Sequence, residues 1–232
     1  MKASTIAAAV RTVIFAVVAG AVALGAAAPA NAASEVLYGD PVAAAEYWHE
    51  QRYDDCVLMA SADVIGQLTG DAPSEQAIIA RAHSTPSVAH AGPIYTKPAD
   101  PDNPNSGEGA SLADVPTLLT QYHVAAVVID RDDTARNGIR PGIAGLKQAL
   151  GGGHKVIVSL NGELIWRQPV EDKEENGNPV SDHAVVVTGV DATHGIVHLN
   201  DSGISEGRDE QIPLQLFVQS WETSNELMVV TL

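Results

Sequence analysis

The chain has a single cysteine, Cys56, in a context that can activate a thiol. Asp54 and Asp55 precede it and an apolar stretch with helical spacing follows, so Cys56 falls in the first turn of a predicted helix. There the unpaired backbone N–H groups and the helix dipole stabilise a thiolate. The two aspartates oppose this effect, so a nucleophilic Cys56 needs a cationic partner, usually a histidine. A small buried thiol without reactivity is the alternative interpretation.

Among the eight histidines, His183 is the best candidate for that partner. It begins the most apolar strand of the chain, directly after the polar run 171–182, and a surface histidine is the alternative. A histidine that takes the thiol proton also needs an acceptor on its other ring nitrogen. The next predicted strand ends at Asn200 and Asp201, and a hairpin would return that end towards His183. Strand alternation allows only one of the two beside His183, and both remain candidates.

Two further patterns were considered for chemistry. Gln51, five residues before Cys56, could supply an amide N–H to an oxyanion together with the Cys56 backbone N–H. His194 and His198 are four residues apart, but they fall in a predicted hairpin rather than on one helical face. We therefore expect no metal site and no cofactor.

The elements that must position these residues follow from hydrophobic periodicity. Helices come first and a hairpin-rich sheet follows, which predicts an α+β fold. A long loop rich in proline, glycine, asparagine and aspartate, Ser84–Gly109, separates the first two helices from the rest. The predicted helices are Asp55–Thr69, Ser74–Ala82, Leu112–Tyr122 and Ile143–Leu150, and the predicted strands are Val124–Ile129, Val156–Leu160, Ala184–Val190, Gly195–Leu199 and Leu227–Leu232.

The first 32 residues have the pattern of a secretory signal peptide. Lys2 and Arg11 form a short positively charged start. The apolar run that follows them ends at Pro29-Ala30-Asn31-Ala32. Cleavage is expected after Ala32, which predicts a secreted or cell-envelope protein with one domain, 33–232. An uncleaved membrane anchor is the alternative, although the run is short and interrupted by glycine.

Charge and composition exclude several classes of partner. The formal net charge is −16, and loss of the signal peptide with its two positive charges makes it −18. Such a chain is repelled by phosphate backbones and anionic lipid, so we expect neither a nucleic-acid partner nor, after signal cleavage, a membrane partner. With 45% hydrophobic residues the chain can bury a core. The composition carries no signal for the oligomeric state.

Taken in order, these motifs resemble the papain-like cysteine peptidase superfamily, and within it the secreted stand-alone relatives of the bacteriocin-processing (double-glycine leader) peptidases. The resemblance covers roughly residues 46–232. It rests on a Gln, an Asp-Cys that opens a helix, a His that begins a hydrophobic strand with a Val-Thr-Gly-Val-Asp ending, and a strand that ends in Asn-Asp. These stand here as Gln51, Asp55-Cys56, His183–Asp191 and Leu199-Asn200-Asp201, and the tail from Ile212 to Trp221 resembles the family's closing segment.

The resemblance implies an N-terminal helical half that carries the cysteine and a C-terminal antiparallel sheet that carries His and Asp. It also implies Cys56 as nucleophile, His183 as general base and then acid, Asp201 as orienter, with Asn200 as the alternative, and Gln51 in the oxyanion hole. Two positions differ from many relatives: Val57 stands where glycine is common, and Ser202 where proline is common.

Three functions are compatible with these residues. The leading hypothesis is a secreted cysteine peptidase that hydrolyses peptide bonds of a peptide or protein substrate through a thioester on Cys56. The second keeps the same acyl-enzyme but resolves it with an amine, as an acyltransferase or amidase would. The third is a catalytically silent binding module on the same fold, motivated by Val57 and by the acidic residues near Cys56, with Ser84–Gly109 as its recognition loop.

Overall fold

A seven-stranded antiparallel sheet runs through the part of the protein that the computed structural model describes, which is residues 36–100, 103, 107, 109–171 and 173–232. These residues belong to one unit, Glu35–Leu232. The expected signal peptide, 1–32, lies outside the described residues. Among the residues that are described, no helix is both long enough and apolar enough to span a bilayer.

The strand order across the sheet is β2-β7-β3-β4-β5-β6, and β1 pairs with the far end of β4. The long central strand β4 therefore pairs with β3 and β1 on one side and with β5 on the other. The strands are β1 Leu37–Gly39, β2 Ala126–Ile129, β3 Val156–Leu160, β4 His183–Asp191, β5 Ile196–Asn200, β6 Glu210–Pro213 and β7 Met228–Thr231.

Helices cover both faces of this sheet. The longest is α2, which begins at the residue predicted to be the nucleophile. The helices are α1 Pro41–Ala44, α2 Cys56–Thr69, α3 Glu75–His83, α4 Val115–Thr120, α5 Gly142–Gly151, α6 Gly162–Ile165 and α7 Leu214–Trp221, and 3₁₀ turns occupy Ala45–Tyr47, Leu112–Asp114 and Glu222–Ser224.

Side-chain alternation along β4 explains why its sequence is apolar without interruption. Ala184 and Val186 pack in the cluster that contains α2, α3 and α4. Val185 and Val187 point to the opposite face and pack with residues of α5 and α7. Because both faces are covered, every residue from His183 to Val190 is buried. This burial fixes the position of His183 relative to α2, which lies on one side of the strand.

The predicted α+β class is confirmed, and so are the principal elements near the site. Helix α2 ends where Gly70 adopts a left-handed conformation (φ 80°), as its sequence favours. Leu68, in the last turn of α2, is 43% exposed, whereas the residues from Cys56 to Gly66 are buried. The predicted helix 112–122 is shorter than expected: it starts as a 3₁₀ turn and continues as α4 only to Thr120.

Candidate active site

Helix α2 places Cys56 at its N-terminus and buries almost all of its surface. Every residue from Cys56 to Gly66 is buried, because α2 lies between the sheet and the neighbouring helices α3 and α4. Cys56 itself is 7% exposed and forms no disulfide. The helix dipole and the free N–H groups of the first turn are therefore directed at a thiol held in a fixed position.

The structure brings His183 and Asp201 together at the open end of the β4–β5 hairpin. His183 is the first residue of β4, and Asp201 directly follows β5, whose last residue, Asn200, pairs with Val186. Nε2 of His183 lies 2.7 Å from Oδ1 of Asp201, and both side chains are buried. Cys56 and His183 line the same cleft, and the thiol is among the groups that raise the pKa of this imidazole. Since Nε2 is engaged by Asp201, Nδ1 is the ring nitrogen left for a further partner.

The carboxylate of Asp201 is saturated with hydrogen-bond donors. Its Oδ1 also accepts from the backbone N–H of Gly203 at 2.7 Å, and its Oδ2 accepts from the indole N–H of Trp166 at 2.8 Å. Its backbone is fixed as well, since the indole N–H of Trp48 donates to its carbonyl at 2.6 Å. Charge-assisted hydrogen bonds of this kind favour the ionised carboxylate and fix its orientation.

Trp166 is a positioning residue that the sequence analysis missed. Besides its hydrogen bond to Asp201, its ring packs on the imidazole of His183, with the centroids 5.0 Å apart and the planes at 55°. Gly203 makes this packing possible, because a Cβ there would lie 2.9 Å from the His183 ring and 3.0 Å from the indole. The only signal in the sequence is a rare tryptophan in a chain with 4% aromatic residues.

The two buried partners shift each other's pKa in opposite directions. Burial alone would lower the pKa of His183, but the charge and hydrogen bond of Asp201, together with the nearby Cys56, raise it well above its usual value. Burial alone would raise the pKa of Asp201, but His183, Gly203 and Trp166 lower it. The pair is therefore an imidazolium and a carboxylate at neutral pH, which is the state that stabilises a neighbouring thiolate.

Asn200, the alternative orienter, is directed elsewhere. Its amide N–H groups donate to the carbonyl of Ala44 at 2.9 Å and to Oδ2 of Asp63 on α2 at 2.7 Å. Asn200 therefore ties the N-terminal segment and the nucleophile helix to β5. Of the two adjacent candidates, the structure places only Asp201 against His183.

Gln51 is connected to the site through the residue that follows Asp201. Its backbone N–H donates to the carbonyl of Ser202, its Oε1 accepts from the Ser202 hydroxyl at 2.7 Å, and its Nε2 donates to the carbonyl of Tyr53 at 2.9 Å. These bonds fix the loop that leads to Cys56. Gln51 is not among the residues that line the cleft at Cys56, and its role in an oxyanion hole stays a prediction.

The carboxyl group of Asp55 contrasts with that of Asp201. It is completely buried, and neither oxygen has a hydrogen-bond partner among the described residues. Burial, together with the nearby Glu75 and Asp54, raises the pKa of Asp55 to about 8. Asp55 occupies the N-cap position of α2, but its side chain does not cap the helix. It is therefore largely protonated at neutral pH and does not oppose a Cys56 thiolate as the sequence suggested.

A cleft of about 340 Å³ opens over the Cys56–His183 pair. The loop segment 109–111 forms part of its wall and also borders a second cavity of about 630 Å³, lined mainly by residues 90–99. The long loop predicted between α3 and α4 therefore contributes to the surroundings of the site. Within the described part of the chain, no group of three or more His, Cys, Asp or Glu side chains could hold a metal ion.

A solved structure shares this architecture. The crystal structure of a protein described as a C39-like peptidase, from Bacillus anthracis, superposes with a TM-score of 0.57 at 16% identity, over 85% of this chain and 98% of that one. A double glycine motif protease from an AMS/PCAT transporter, solved in complex with its leader peptide, gives a TM-score of 0.44 at 12% identity, over 79% and 87% of the two chains. The protein has the papain-like fold of the C39-like cysteine peptidases.

Proteins of much higher identity are found in mycobacteria. Uncharacterized protein Mb1299c of Mycobacterium bovis and uncharacterized proteins MT1306 and Rv1268c of Mycobacterium tuberculosis are each 62% identical over 231 residues, and each alignment covers 100% of both chains. This chain belongs to the same family as these three proteins. No protein-family model matches it.

Proposed function

We propose that this protein is an exported cysteine peptidase that hydrolyses peptide bonds through a Cys56 thioester. The observation that carries the proposal is the buried imidazole of His183, which is hydrogen-bonded to Asp201 and lines the same cleft as Cys56. A thiol, a base with a raised pKa and a fixed carboxylate in this order form a nucleophilic unit. Export follows from the signal-like N-terminus and belongs to the proposal.

The reaction assigned to this unit has two steps. The Cys56 thiolate attacks the scissile carbonyl carbon, and His183 gives its proton to the departing amine as the C–N bond breaks, which leaves a thioester. A water molecule then gives a proton to the neutral His183 and attacks the thioester carbonyl. The C–S bond breaks, and the thiolate–imidazolium pair is restored together with a new carboxylic acid, which releases its proton to solvent water. Throughout, Asp201 keeps the imidazole oriented and stabilises its charged form.

Transfer to an amine is a second outcome of the same acyl-enzyme. An amine that replaces water would join two components instead of adding water to one. The silent binding module is the other candidate. It is favoured by Val57, which lines the cleft directly after Cys56, at the position where the resemblance to the peptidases implies glycine.

Digestion of a diverse peptide mixture in water enriched with heavy oxygen distinguishes these three functions. We expect new C-termini that carry the heavy isotope with the wild-type protein and none with Cys56→Ala. Joined peptides without isotope would instead identify transfer. Peptides that bind to wild-type protein and to Cys56→Ala equally, with no product from either, would contradict catalysis and identify a binding module.

A further inference from the structure

The charge of the cleft walls around Cys56 is one-sided. Two carboxylates, Asp54 and Asp182, line the cleft, and no lysine or arginine is among its described lining residues. The one basic group there is His183, whose positive charge is already compensated by Asp201. The lining residues are Asp54, Cys56, Val57, Gly109, Ala110, Ser111, Leu112, Ser159, Ser181, Asp182, His183, Ala184 and Leu227.

The two carboxylates lie just before the two elements that carry the reactive pair: Asp54 precedes α2, and Asp182 precedes β4. Asp54 lies two residues before Cys56 and is partly buried, and its Oδ2 lies beside Gly109 on the loop wall. Asp182 lies directly before His183, is exposed, and accepts from the N–H of Gly162 at 2.8 Å. In the described part of the chain neither carboxylate forms an ion pair, so each keeps capacity for a further partner that enters the cleft.

Partial desolvation makes these carboxylates favourable sites for a cation. Desolvation raises the pKa of both Asp54 and Asp182 above the usual value for aspartate. A positive group that enters the cleft offsets that cost, and its attraction is stronger than on an open surface because less water separates the charges. Lys97 lines the adjoining cavity, where its ammonium lies 3.9 Å from the centroid of the Tyr53 ring.

We propose that the cleft selects cationic substrates, namely peptides that place a lysine or arginine side chain or a free amino group beside the scissile bond, with Asp54 and Asp182 as specificity-determining residues. This substrate class rests on the proposed peptidase function. The charge selection itself does not, because any reagent that reaches the Cys56 sulfur experiences the same two carboxylates.

The test uses three methanethiosulfonate reagents of similar size that carry an ammonium, a sulfonate or a neutral methyl group. The Cys56 thiolate attacks the sulfenyl sulfur, a mixed disulfide forms, and methanesulfinate leaves with the electron pair of the broken S–S bond. Cys56 is the only cysteine, so intact mass reports its modification without ambiguity. The labelling rate of Cys56 with the cationic reagent is divided by its rate with the anionic reagent, and this ratio is divided by the same ratio for a small neutral thiol. Because both reagents attack the same thiolate, changes in the thiolate content of Cys56 cancel.

We expect a normalised ratio of about ten or more for the wild-type protein, on Coulomb grounds. Asp54→Asn and Asp182→Asn keep a hydrogen-bond acceptor but remove the charge, and each should lower the ratio about threefold. The double variant should approach a ratio of one. Asp71→Asn is the matched control: it changes the net charge equally, but this exposed residue follows the other end of the 14-residue α2, about 20 Å from Cys56.

A wild-type ratio near one, or a ratio that survives in the double variant, would overturn the inference. Peptide substrates that carry Lys, Gln or Glu next to the cleaved bond complete the test, with kcat/KM expected in that order. Charge-selective labelling without any hydrolysis would contradict the proposed peptidase function and leave the cationic cleft standing. Hydrolysis without charge preference in labelling would overturn the cationic cleft and leave the peptidase standing.

Discussion

The β4–β5 hairpin carries a histidine–aspartate pair at each end, and the two pairs have almost the same contact distance, through Nε2 in one and Nδ1 in the other. At the open end, His183 and Asp201 are 2.7 Å apart, and at the turn, His194 and Asp191 are 2.6 Å apart. Their surroundings differ: the side chains are 6% and 0% exposed at the open end, but 56% and 20% exposed at the turn. The contact distance therefore does not distinguish a candidate catalytic pair from a surface ion pair.

What differs is the set of groups around each pair. Asp201 accepts additional hydrogen bonds from Gly203 and Trp166, and His183 has Cys56 on its other side. Asp191 is only partly buried, and its extra donors are backbone N–H groups of its own turn. Removal from water strengthens every charge interaction at the open end, whereas water screens the pair at the turn. Reactivity is thus expected at one end only.

The largest effect is expected from Asp201→Asn, compared with Asp191→Asn at the turn. An amide removes the charge that holds the imidazolium and cannot accept from three N–H donors as the carboxylate does. We expect kcat/KM for peptides, and the rate of Cys56 alkylation at about pH 6, to fall about a hundredfold or more. Asp191→Asn should change both less than twofold. Equal effects of the two variants would contradict the distinction between the ends.

The next effect concerns Asp55, whose buried carboxyl lacks the partners that Asp201 has. Its folded pKa of about 8 exceeds the unfolded value, so its contribution to stability is complete below about pH 4 and is lost as pH rises towards 8. Asp55→Asn should therefore raise the free energy of unfolding at about pH 8 by roughly 2–4 kcal/mol relative to its effect at about pH 5. Urea unfolding at both pH values measures this difference.

Asp55→Leu provides a second variant that also removes the unpartnered polar atoms, and Asp71→Asn provides an exposed control. Asp63 and Glu210 have pKa values raised by burial to about 6 and about 7, so the wild-type protein should lose stability over this range as well. Comparing the pH dependence of the free energy of unfolding between the variants and the wild type isolates the contribution of Asp55. An unchanged pH dependence in both Asp55 variants would show that this carboxyl is not held protonated.

A smaller effect is expected from Trp166→Phe, which keeps a ring against His183 but removes the N–H donor to Asp201. Loss of this donor raises the pKa of Asp201, so the acid limb of the activity profile should move to higher pH, with activity near neutral pH about tenfold lower. Trp48→Phe is the matched control, because its N–H donates to the Asp201 carbonyl. A shift of the acid limb in Trp48→Phe alone would contradict the assigned role.

The smallest effect is expected at the turn. His194→Gln removes the positive charge that, with its hydrogen bond, lowers the pKa of Asp191. That lowered pKa stabilises the fold above the unfolded value and is lost as pH falls through the folded one. We expect the melting temperature at neutral pH to change by about a degree or less, and the change to vanish in about 1 M salt. A decrease in melting temperature as large as the one measured for His183→Ala would contradict the distinction between the two ends of the hairpin.

Long elements with clear periodicity were predictable from the sequence, and short ones were not. Helix α2, strand β3 and the β4–β5 hairpin match their predicted ranges to within one residue at each end. The four-residue elements α6 and β6 carry too few residues to establish a period, and β6 lies in a polar stretch. Helix α7 begins directly after Pro213 and was interpreted only as part of a closing segment.

The residues of the candidate site were predictable where the order of the sequence motifs indicates them. They were not predictable where long-range packing determines their contacts. Cys56 and His183 follow from their positions at the start of a helix and a strand. The choice between Asn200 and Asp201 depends on pairing with β4, which shifts register between Val187 and Gly189, and no local pattern reveals such a shift. The enclosure of Asp55 is likewise a long-range property of the fold.

The central claim is that His183 maintains Cys56 as a thiolate, and the most direct test is the alkylation rate of Cys56 by a neutral reagent from about pH 4 to about pH 9. Intact mass gives the rate for the wild-type protein and for His183→Ala. The account predicts rapid labelling that persists well below pH 8 in the wild type and collapses in the variant. Slow labelling that rises only near about pH 8.5, equally in both proteins, would contradict it.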